Sequence, residues 1–196
     1  MKSALQPSAL NQLFHHARSY NSWHSEQISL ETLRAVWVLA RMGPTSANCS
    51  PMRVVFVVSP EAKEKLRPCL MEDNVDKVMT APATAVLGYD MAFPDRLPEL
   101  FPHTDARSWF VGNDELIATT AFRNSTLQGA FLMMAARALG LDCGPMSGFD
   151  NGAVDAAFFA GTQVKSNFIC GLGHGDDASV FERSPRLSFD DACRVA

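Results

Sequence analysis

Residues 120–139 carry apolar side chains on nearly every face of a helical projection. Phe122, Leu127 and Phe131 leave no continuous polar stripe along the run, and Gly140 is a suitable residue to end the helix. A helix without a polar side cannot face water along its length, so it must lie at the centre of a domain or between two subunits. The rest of the fold therefore has to be arranged around this helix.

Helical runs and apolar strand-like runs alternate through the remaining chain. Helices are predicted over residues 8–18 with Ser8 as the cap, over 30–42 after Ser29, over 60–66 after Ser59, over 74–79, and in a short segment after Asp150. Strands are predicted over 53–58, 83–89 and 164–173, and a glycine-rich turn over 144–148. Since 196 residues with 47% hydrophobic content suffice for one core, residues 1–196 are predicted to form a single domain.

Two segments show neither a helical nor a strand period. Residues 90–113 combine three prolines with aromatic side chains such as Phe101 and Trp109, which argue against disorder. Because a loop of this length usually has a function, it is predicted to be a lid or pocket wall. The tail, residues 174–196, has few apolar side chains and is predicted to become ordered by packing across a partner subunit.

Charge and cysteine content exclude several classes of protein. The net charge is -4 with no basic run, so no nucleic-acid partner is expected. The five cysteines have no zinc-ligand spacing and the five histidines no ligand pattern, so no metal is predicted. No apolar run reaches the roughly 18 residues that a membrane helix needs, and no signal segment is visible. With buried, reduced thiols, these features predict a soluble cytoplasmic protein that is not exported.

A polar turn at residues 43–51 joins the second predicted helix to the first predicted strand. Pro44 ends the helix and removes a backbone donor. The short hydrogen-bonding side chains of the turn are Thr45, Ser46, Asn48 and Ser50. Cys49 lies among them with no base beside it in the sequence, so it is predicted to be a small packing residue. The turn is a candidate site for a polar ring system.

Four further groups of residues are considered together with this turn. They are Arg18, Ser19 and Asn21 after the first helix; Asn74 and Lys77, one helical turn apart; Pro145, Met146, Ser147 and Gly148 after Gly140; and Arg183 and Arg186 in the tail. Taken singly, these groups are typical of a helix end, a solvated face, a connecting loop and surface charges. Their occurrence together, in this order, is the informative observation.

With the polar turn, these groups resemble the FMN-dependent nitroreductase family along the whole chain. The resemblance implies an α+β fold with a mixed central sheet flanked by helices, assembled as an intertwined homodimer. It implies that the FMN phosphate and ribityl chain are bound by Arg18, Ser19, Asn21, Arg183 and Arg186, and that the ring and ribityl hydroxyls are reached by Asn74 and Lys77. It implies that backbone N–H groups near flavin N5 come from the segment Pro145, Met146, Ser147 and Gly148. It also implies that the flavin is faced, typically from the other subunit, by Pro44, Thr45, Ser46 and Asn48.

Two positions depart from the pattern of that family. Asn21 stands where a second cation is usual, so the phosphate has to be bound partly by other residues. Ser147 stands where many members carry an acid, which removes a charge beside the reactive atom. No catalytic side chain is implied, because FMN carries the hydride from NADH or NADPH to the substrate in a ping-pong reaction.

The amino-acid sequences of three motifs are similar to those of one subgroup of the family, the RutE-type reductases of pyrimidine utilisation. These motifs are the polar turn, residues 100–110 of the lid and residues 144–150. The subgroup reduces malonic semialdehyde to 3-hydroxypropionate, and the resemblance implies that activity. Arg107 or His103 in the lid is predicted to bind the carboxylate of this substrate.

Two other functions are compatible with the same residues. A broad reductase of nitroaromatics or quinones would use the same FMN site, and flavin reduces those groups more commonly than aldehydes. A non-catalytic flavin-binding protein would account for the missing cation at Asn21 and the missing acid at Ser147.

Overall fold

The computed structural model of the chain describes residues 3–196. The helices are α1 Pro7–Leu10, α2 Leu30–Ala40, α3 Pro60–Leu66, α4 Glu72–Thr80, α5 Leu97–Leu100, α6 Asp114–Ala138, α7 Asn151–Phe158 and α8 Phe189–Ala192; the strands are β1 Met52–Val57, β2 Ala83–Asp90, β3 Asp142–Met146 and β4 Val164–Gly173. Short helical turns lie between several of them. This is the predicted α+β class.

The four strands form one sheet in the order β1-β2-β4-β3. All three strand pairs are antiparallel, so these four strands form an antiparallel sheet rather than the expected mixed one. The single parallel pairing within residues 3–196 is the isolated bridge between Ser19 and Cys143. β1 and β3 are the edge strands, which lie three strand spacings apart, or roughly 14 Å.

Helices cover both faces of the sheet. Along β2, Ala85 and Leu87 point into a core with α2 and α6, and Val86 points into a second core with α3, α4 and α7. This alternation is the period of a strand that is buried on both faces. Leu132 of α6 and Val36 of α2 are fully buried in the first core, and each contributes about 1.5–3 kcal/mol relative to an exposed position.

Helix α6 is the central helix that the sequence predicts, but it begins at Asp114 rather than Thr120. Asn113 caps it by accepting a hydrogen bond from the Leu116 N–H. The first turn of the helix is polar, so the apolar periodicity used for the prediction does not extend to the true start. Its other side remains exposed at Phe122, Leu127 and Phe131. Within residues 3–196 no helix has both the length and the apolar content required to span a bilayer.

Three capping predictions are confirmed. Ser29, Ser59 and Asp150 accept hydrogen bonds from the third residue of their helices, at 3.0, 3.2 and 2.9 Å. These contacts depend only on residues close in sequence, so they are visible before folding.

The prediction of one helix over residues 8–18 is wrong. The helix begins at Pro7 and passes into a wider π turn that ends at His15, where the His16 N–H donates to the Asn11 carbonyl over 2.8 Å. Ser8 lies inside the first turn and is not the cap. Arg18 therefore lies beyond the helix, in extended chain beside the sheet.

The predicted turn over residues 144–148 is largely strand β3, which pairs with β4 as far as Met146 and Ile169. Gly144 and Pro145 are residues that favour a turn in the sequence. Proline has no backbone N–H, but Pro145 is tolerated because β3 is an edge strand and its open side requires no such donor. The lid also has more structure than expected, with helical segments at Phe93–Arg96, Leu97–Leu100 and Ala106–Trp109. Phe93 and Phe110 anchor it in a third apolar cluster.

Candidate functional site

A cavity of about 450 Å³ lies between the end of α1, the end of α6 and the first part of the tail. We name it the arginine cavity; its polar lining includes Arg18, Ser19, Arg137, Arg183 and Arg186. Arg18 donates to the Phe181 carbonyl, and Arg183 donates to the carbonyls of His15 and Ala17 over 2.9 and 3.0 Å. These bonds attach the tail to the N-terminal segment and place four guanidinium groups around one space.

The arginine cavity has a strong excess of positive charge. Glu182 is its one acidic lining residue and is exposed. None of the four arginines forms an ion pair with another residue of the described chain. Clustered arginines without carboxylate partners repel one another, so an anionic ligand would stabilise them. The cavity is therefore a candidate anion site, and phosphate is one of the two anions, with carboxylate, whose geometry the planar guanidinium group matches.

Arg137 belongs to this cavity although no motif in the sequence identifies it. It lies in the last turn of α6, where a cation is ordinarily explained by the helix dipole. Arg18 and Arg183 are separated from it by more than 40 residues in either direction. Only the tertiary contacts between α6, α1 and the tail bring these groups together.

The segment after Arg18 runs along strand β3. The Tyr20 N–H donates to the Cys143 carbonyl over 3.1 Å, and the Trp23 indole N–H donates to the Lys77 carbonyl over 3.1 Å. A methyl group on Gly144 would overlap the Tyr20 carbonyl, so this close approach requires glycine. The segment thereby connects the arginine cavity to helix α4.

Asn74 and Lys77 lie beside Ser147 and Gly148, as predicted for one site. The Asn74 amide nitrogen donates to the Gly148 carbonyl over 2.9 Å, and Lys77 Nζ donates to Asn74 Oδ1 over 3.1 Å. Asn74 is buried, whereas Ser147 is exposed. Within residues 3–196 neither the Ser147 nor the Gly148 N–H donates a hydrogen bond, so both remain free for a ligand at this edge.

The polar turn 43–51 has a constrained backbone. Ala47, Asn48 and Ser50 have positive φ values of 48°, 49° and 40°, in the left-handed region that non-glycine residues rarely adopt. Such conformations persist only where surrounding contacts impose them, and they are concentrated at functional sites. Here the buried Asn124 of α6 accepts a hydrogen bond from the Ser46 N–H over 2.9 Å. The turn is thus held in shape while Pro44, Ser46 and Asn48 stay exposed.

Cys49 lies beneath the turn and is almost completely buried. Burial raises the pKa of its thiol to about 11, so the group is protonated at neutral pH. The predicted packing role agrees with these properties. Cys69, Cys143 and Cys170 are also buried and free, but Cys193 is exposed, so the expectation of buried thiols is wrong for that residue.

In one chain, the polar turn and the arginine cavity lie at opposite edges of the sheet. The turn leads directly into edge strand β1, whereas the Arg18 segment and Gly148 lie by edge strand β3. Four of the five predicted groups therefore lie on the β3 side of a single chain: those of Arg18, Asn74, Ser147 and Arg183. The polar turn does not join them.

The lid packs on the polar turn rather than on the arginine cavity. Asn48 donates to the Leu100 carbonyl over 2.8 Å, and Cys49 shares an apolar cluster with the lid. Arg107 lies in an ion pair with Asp95 at 2.9 Å, and the ring of His103 packs on Phe101 with centroids 3.9 Å apart. Both predicted substrate residues are thus on the same side of the chain as the turn.

Comparison with known proteins identifies the family. The model of the nitroreductase family matches residues 16–174. The chain belongs to the nitroreductase family. A Burkholderia lata protein is 60% identical over 193 residues, covering 98% of this chain and 99% of its own; a Ralstonia pickettii protein, HadB, is 60% identical over 191 residues, covering 96% and 97%. Both carry the provisional name NADH dehydrogenase/NAD(P)H nitroreductase.

Solved nitroreductases share the fold. A nitroreductase from Exiguobacterium sibiricum, solved in complex with FMN, superposes with a TM-score of 0.85 over 100% of this chain and 99% of its own, at 21% identity. Identity this low establishes the fold and no residue role.

The residues of the candidate site fit an FMN molecule on three observations of this chain. The arginine cavity has unpaired cations for a phosphate. Lys77 and Asn74 supply polar groups beside Gly148, and the free N–H groups of Ser147 and Gly148 supply donors for a ring nitrogen. Within residues 3–196 no group of three His, Cys, Asp or Glu side chains could hold a metal ion.

Proposed function

We propose that this nitroreductase-family protein is an FMN-dependent NAD(P)H oxidoreductase. The observation that carries the proposal is the arginine cavity, in which four guanidinium groups have no acidic partner, together with the free N–H groups of Ser147 and Gly148 on the same, β3 side of the sheet. A phosphate and a ring nitrogen that accepts hydrogen bonds, carried by one ligand, match these two features. The nicotinamide reductant agrees with the names of the Burkholderia lata and Ralstonia pickettii relatives.

The cofactor, when bound, would accept a hydride from NADH or NADPH and give it to the substrate. The residues of the chain would bind and orient it. Arg18, Arg183 and Arg186, with Ser19, would hold the phosphate; Asn74 and Lys77 would contact the ribityl chain and ring; and Pro145, Met146, Ser147 and Gly148 would form the wall next to the reactive nitrogen. Asn21 does not line the arginine cavity, so its place would be along the ribityl chain. With Ser147 in place of an acid, no side chain transfers a proton there.

We propose that the complete site forms between two copies of the chain. The polar turn and lid lie at the β1 edge, roughly 14 Å from the β3 edge, so one chain cannot place both against one flavin ring. In a homodimer, Pro44, Thr45, Ser46 and Asn48 of one subunit would face the flavin held by the other. The exposed apolar face of α6, with Phe122, Leu127 and Phe131, provides a surface for such a contact.

The tail would pack on the partner subunit in this dimer. Its second part leaves Leu187 and Phe189 largely exposed. A cavity of about 620 Å³ beside β1 has an apolar floor that includes Trp37 and Phe56, and a rim with four arginines: Arg34, Arg41, Arg53 and Arg96. Phe189, Asp190 and Asp191 of the tail are complementary to it in polarity and charge.

The proposed substrate is malonic semialdehyde, reduced to 3-hydroxypropionate in pyrimidine degradation. The similarity of the polar turn and lid to the RutE-type reductases supports this choice. Arg107 is the proposed partner of the substrate carboxylate, since Asp95 already holds its guanidinium in a defined orientation. The names of the relatives favour a second candidate, a broad reductase of nitroaromatics and quinones.

Absorption spectra of the purified protein test the cofactor. We expect flavin bands that are bleached by NADH or NADPH without oxygen and restored by substrate; heat should release FMN. A protein that ignores added FMN would contradict the proposal, and bound flavin that neither nucleotide bleaches would indicate a binding protein without activity. Values of kcat/KM for malonic semialdehyde, a quinone and a nitroarene on one preparation then identify the substrate class.

A further inference from the structure

The side chain of Arg137 has one hydrogen bond and one buried, unsatisfied donor. Its Nη1 donates to the Leu13 carbonyl over 3.3 Å, and Gln12 donates to the Arg137 carbonyl over 2.7 Å. Its Nε is buried and has no partner within residues 3–196. A guanidinium carries five N–H donors in a planar fork, so the edge formed by Nε and Nη2 remains without an acceptor.

The helix dipole does not account for this arrangement. A cation in the last turn of α6 needs only proximity to the final carbonyls, and such a side chain can extend into water. Arg137 is instead half-buried against the π turn that follows α1, and its Nε is buried. A buried donor without an acceptor is unfavourable, so this position needs a compensating contact, and an anion at the free Nη2 would supply one.

The surroundings of Arg137 select an anion as that acceptor. Arg137 lines the arginine cavity with Arg18, Arg183 and Arg186, and the nearest acidic lining residue, Glu182, is exposed. Because Nε is buried, Nη2 is the donor of this edge that a phosphate oxygen can reach, and a charged guanidinium N–H binds such an oxygen strongly. Asn21 does not line this space and carries no charge, so it cannot contribute a cation there.

We propose that Arg137 binds the phosphate of FMN through its guanidinium group and supplies the cation that Asn21 does not. This inference rests on the proposed function. It assigns to the end of α6 a role in selecting FMN over flavins without a phosphate. Leu13 and Gln12 act as positioning residues, because their contacts fix the last turn of α6 against the π turn that follows α1.

The test compares FMN with riboflavin, which has the same ring and no phosphate. Dissociation constants for both flavins are measured by fluorescence titration of apo wild-type protein and of Arg137→Gln, Arg137→Lys and Arg67→Gln. Arg67 is an exposed arginine after α3 and serves as the control. Arg137→Gln should weaken FMN binding roughly tenfold to hundredfold, as for loss of a charged hydrogen bond, and leave riboflavin binding unchanged.

Arg137→Lys keeps the charge but lacks the planar edge, so its FMN affinity should lie between those of the wild type and Arg137→Gln. Equal losses for FMN and riboflavin in both Arg137 variants would show a structural role and overturn the inference. Unchanged FMN affinity in both would also overturn it, while FMN binding by the wild type leaves the proposed function in place. A wild-type protein that binds neither flavin overturns the proposed function itself.

Discussion

Burial decides the chemistry of single residues in this protein, and Cys49 shows it most directly. The thiol lies within the polar turn, where a reactive nucleophile could be suspected, yet burial raises its pKa to about 11. The thiolate is the nucleophilic form, so the group is inert at neutral pH. Its contribution is to fill space between the turn and the lid.

Alkylation should separate Cys49 from Cys193. At pH 8, iodoacetamide should modify the exposed Cys193 and leave Cys49 unmodified until the protein unfolds, as measured by peptide mass spectrometry. The folded pKa of Cys49 lies above its ordinary value of 9.0, so its contribution to stability is present below pH 9 and is lost as the pH rises through about 11. Modification of native Cys49 at the rate of Cys193 would contradict this prediction.

Arg107 allows a test of the proposed substrate at one residue. Arg107→Ala should raise KM for malonic semialdehyde roughly tenfold or more, because a charged hydrogen bond to the carboxylate is lost. FMN affinity should not change, since Arg107 does not line the arginine cavity. Steady-state kinetics with an uncharged aldehyde provide the control; unchanged turnover of malonic semialdehyde in this variant would show that the assignment is wrong.

At the scale of elements, helix α6 organises both edges of the sheet. Its buried Asn124 and Gln128 accept hydrogen bonds from the Ser46 and Met52 N–H groups, each over 2.9 Å, and so position the turn and the start of β1. Its last turn carries Arg137 into the arginine cavity. One helix therefore connects parts of the site that lie far apart in the sequence.

Asn124→Ala should loosen the polar turn. The variant leaves the Ser46 N–H without its acceptor, and the free energy of unfolding should fall by about 1–3 kcal/mol in urea denaturation. FMN should also bind more weakly, because the strained backbone at Ala47 and Asn48 loses a support. Asn167→Ala is the control, since this side chain bonds Thr126 away from the turn. If the Asn124→Ala variant binds FMN with wild-type affinity, the shape of the turn does not contribute to cofactor binding and the prediction is wrong.

At the scale of the whole molecule, the sheet order determines which residues can meet. In the order β1-β2-β4-β3, the turn and lid lie at one edge and the arginine cavity lies near the other. A second copy offers the missing half of the site without any change of fold. The complete site is thus proposed as a property of the dimer.

Mixed dimers test this arrangement. Arg18→Ala and the double variant Thr45→Ala, Ser46→Ala should each lose FMN-dependent activity. When the two are co-expressed with different tags and purified as a mixed dimer, one of the two sites combines a wild-type arginine cavity with a wild-type turn, so activity should return. Each variant paired with itself is the control. A mixed dimer as inactive as its parents would show that turn and cavity do not act across subunits.

The sequence by itself determined the features that depend on neighbouring residues. Ser29, Ser59 and Asp150 cap helices through bonds spanning three residues, and the apolar run of α6 requires burial wherever it lies. The five polar groups, taken in order, were enough to identify the family. These features can be recognised in the sequence because the residues that interact are close together in the chain or because the apolar pattern repeats.

Only the tertiary structure decided the remaining features. Strand β3 exists because β4 supplies partners for Gly144 and Pro145, which by local preference form a turn. Arg137 joins Arg18 and Arg183 because α1, α6 and the tail pack together, and nothing near it in the sequence signals this. Long-range pairing and packing select among local preferences, so the positions of strand edges and clustered charges are set by the fold as a whole.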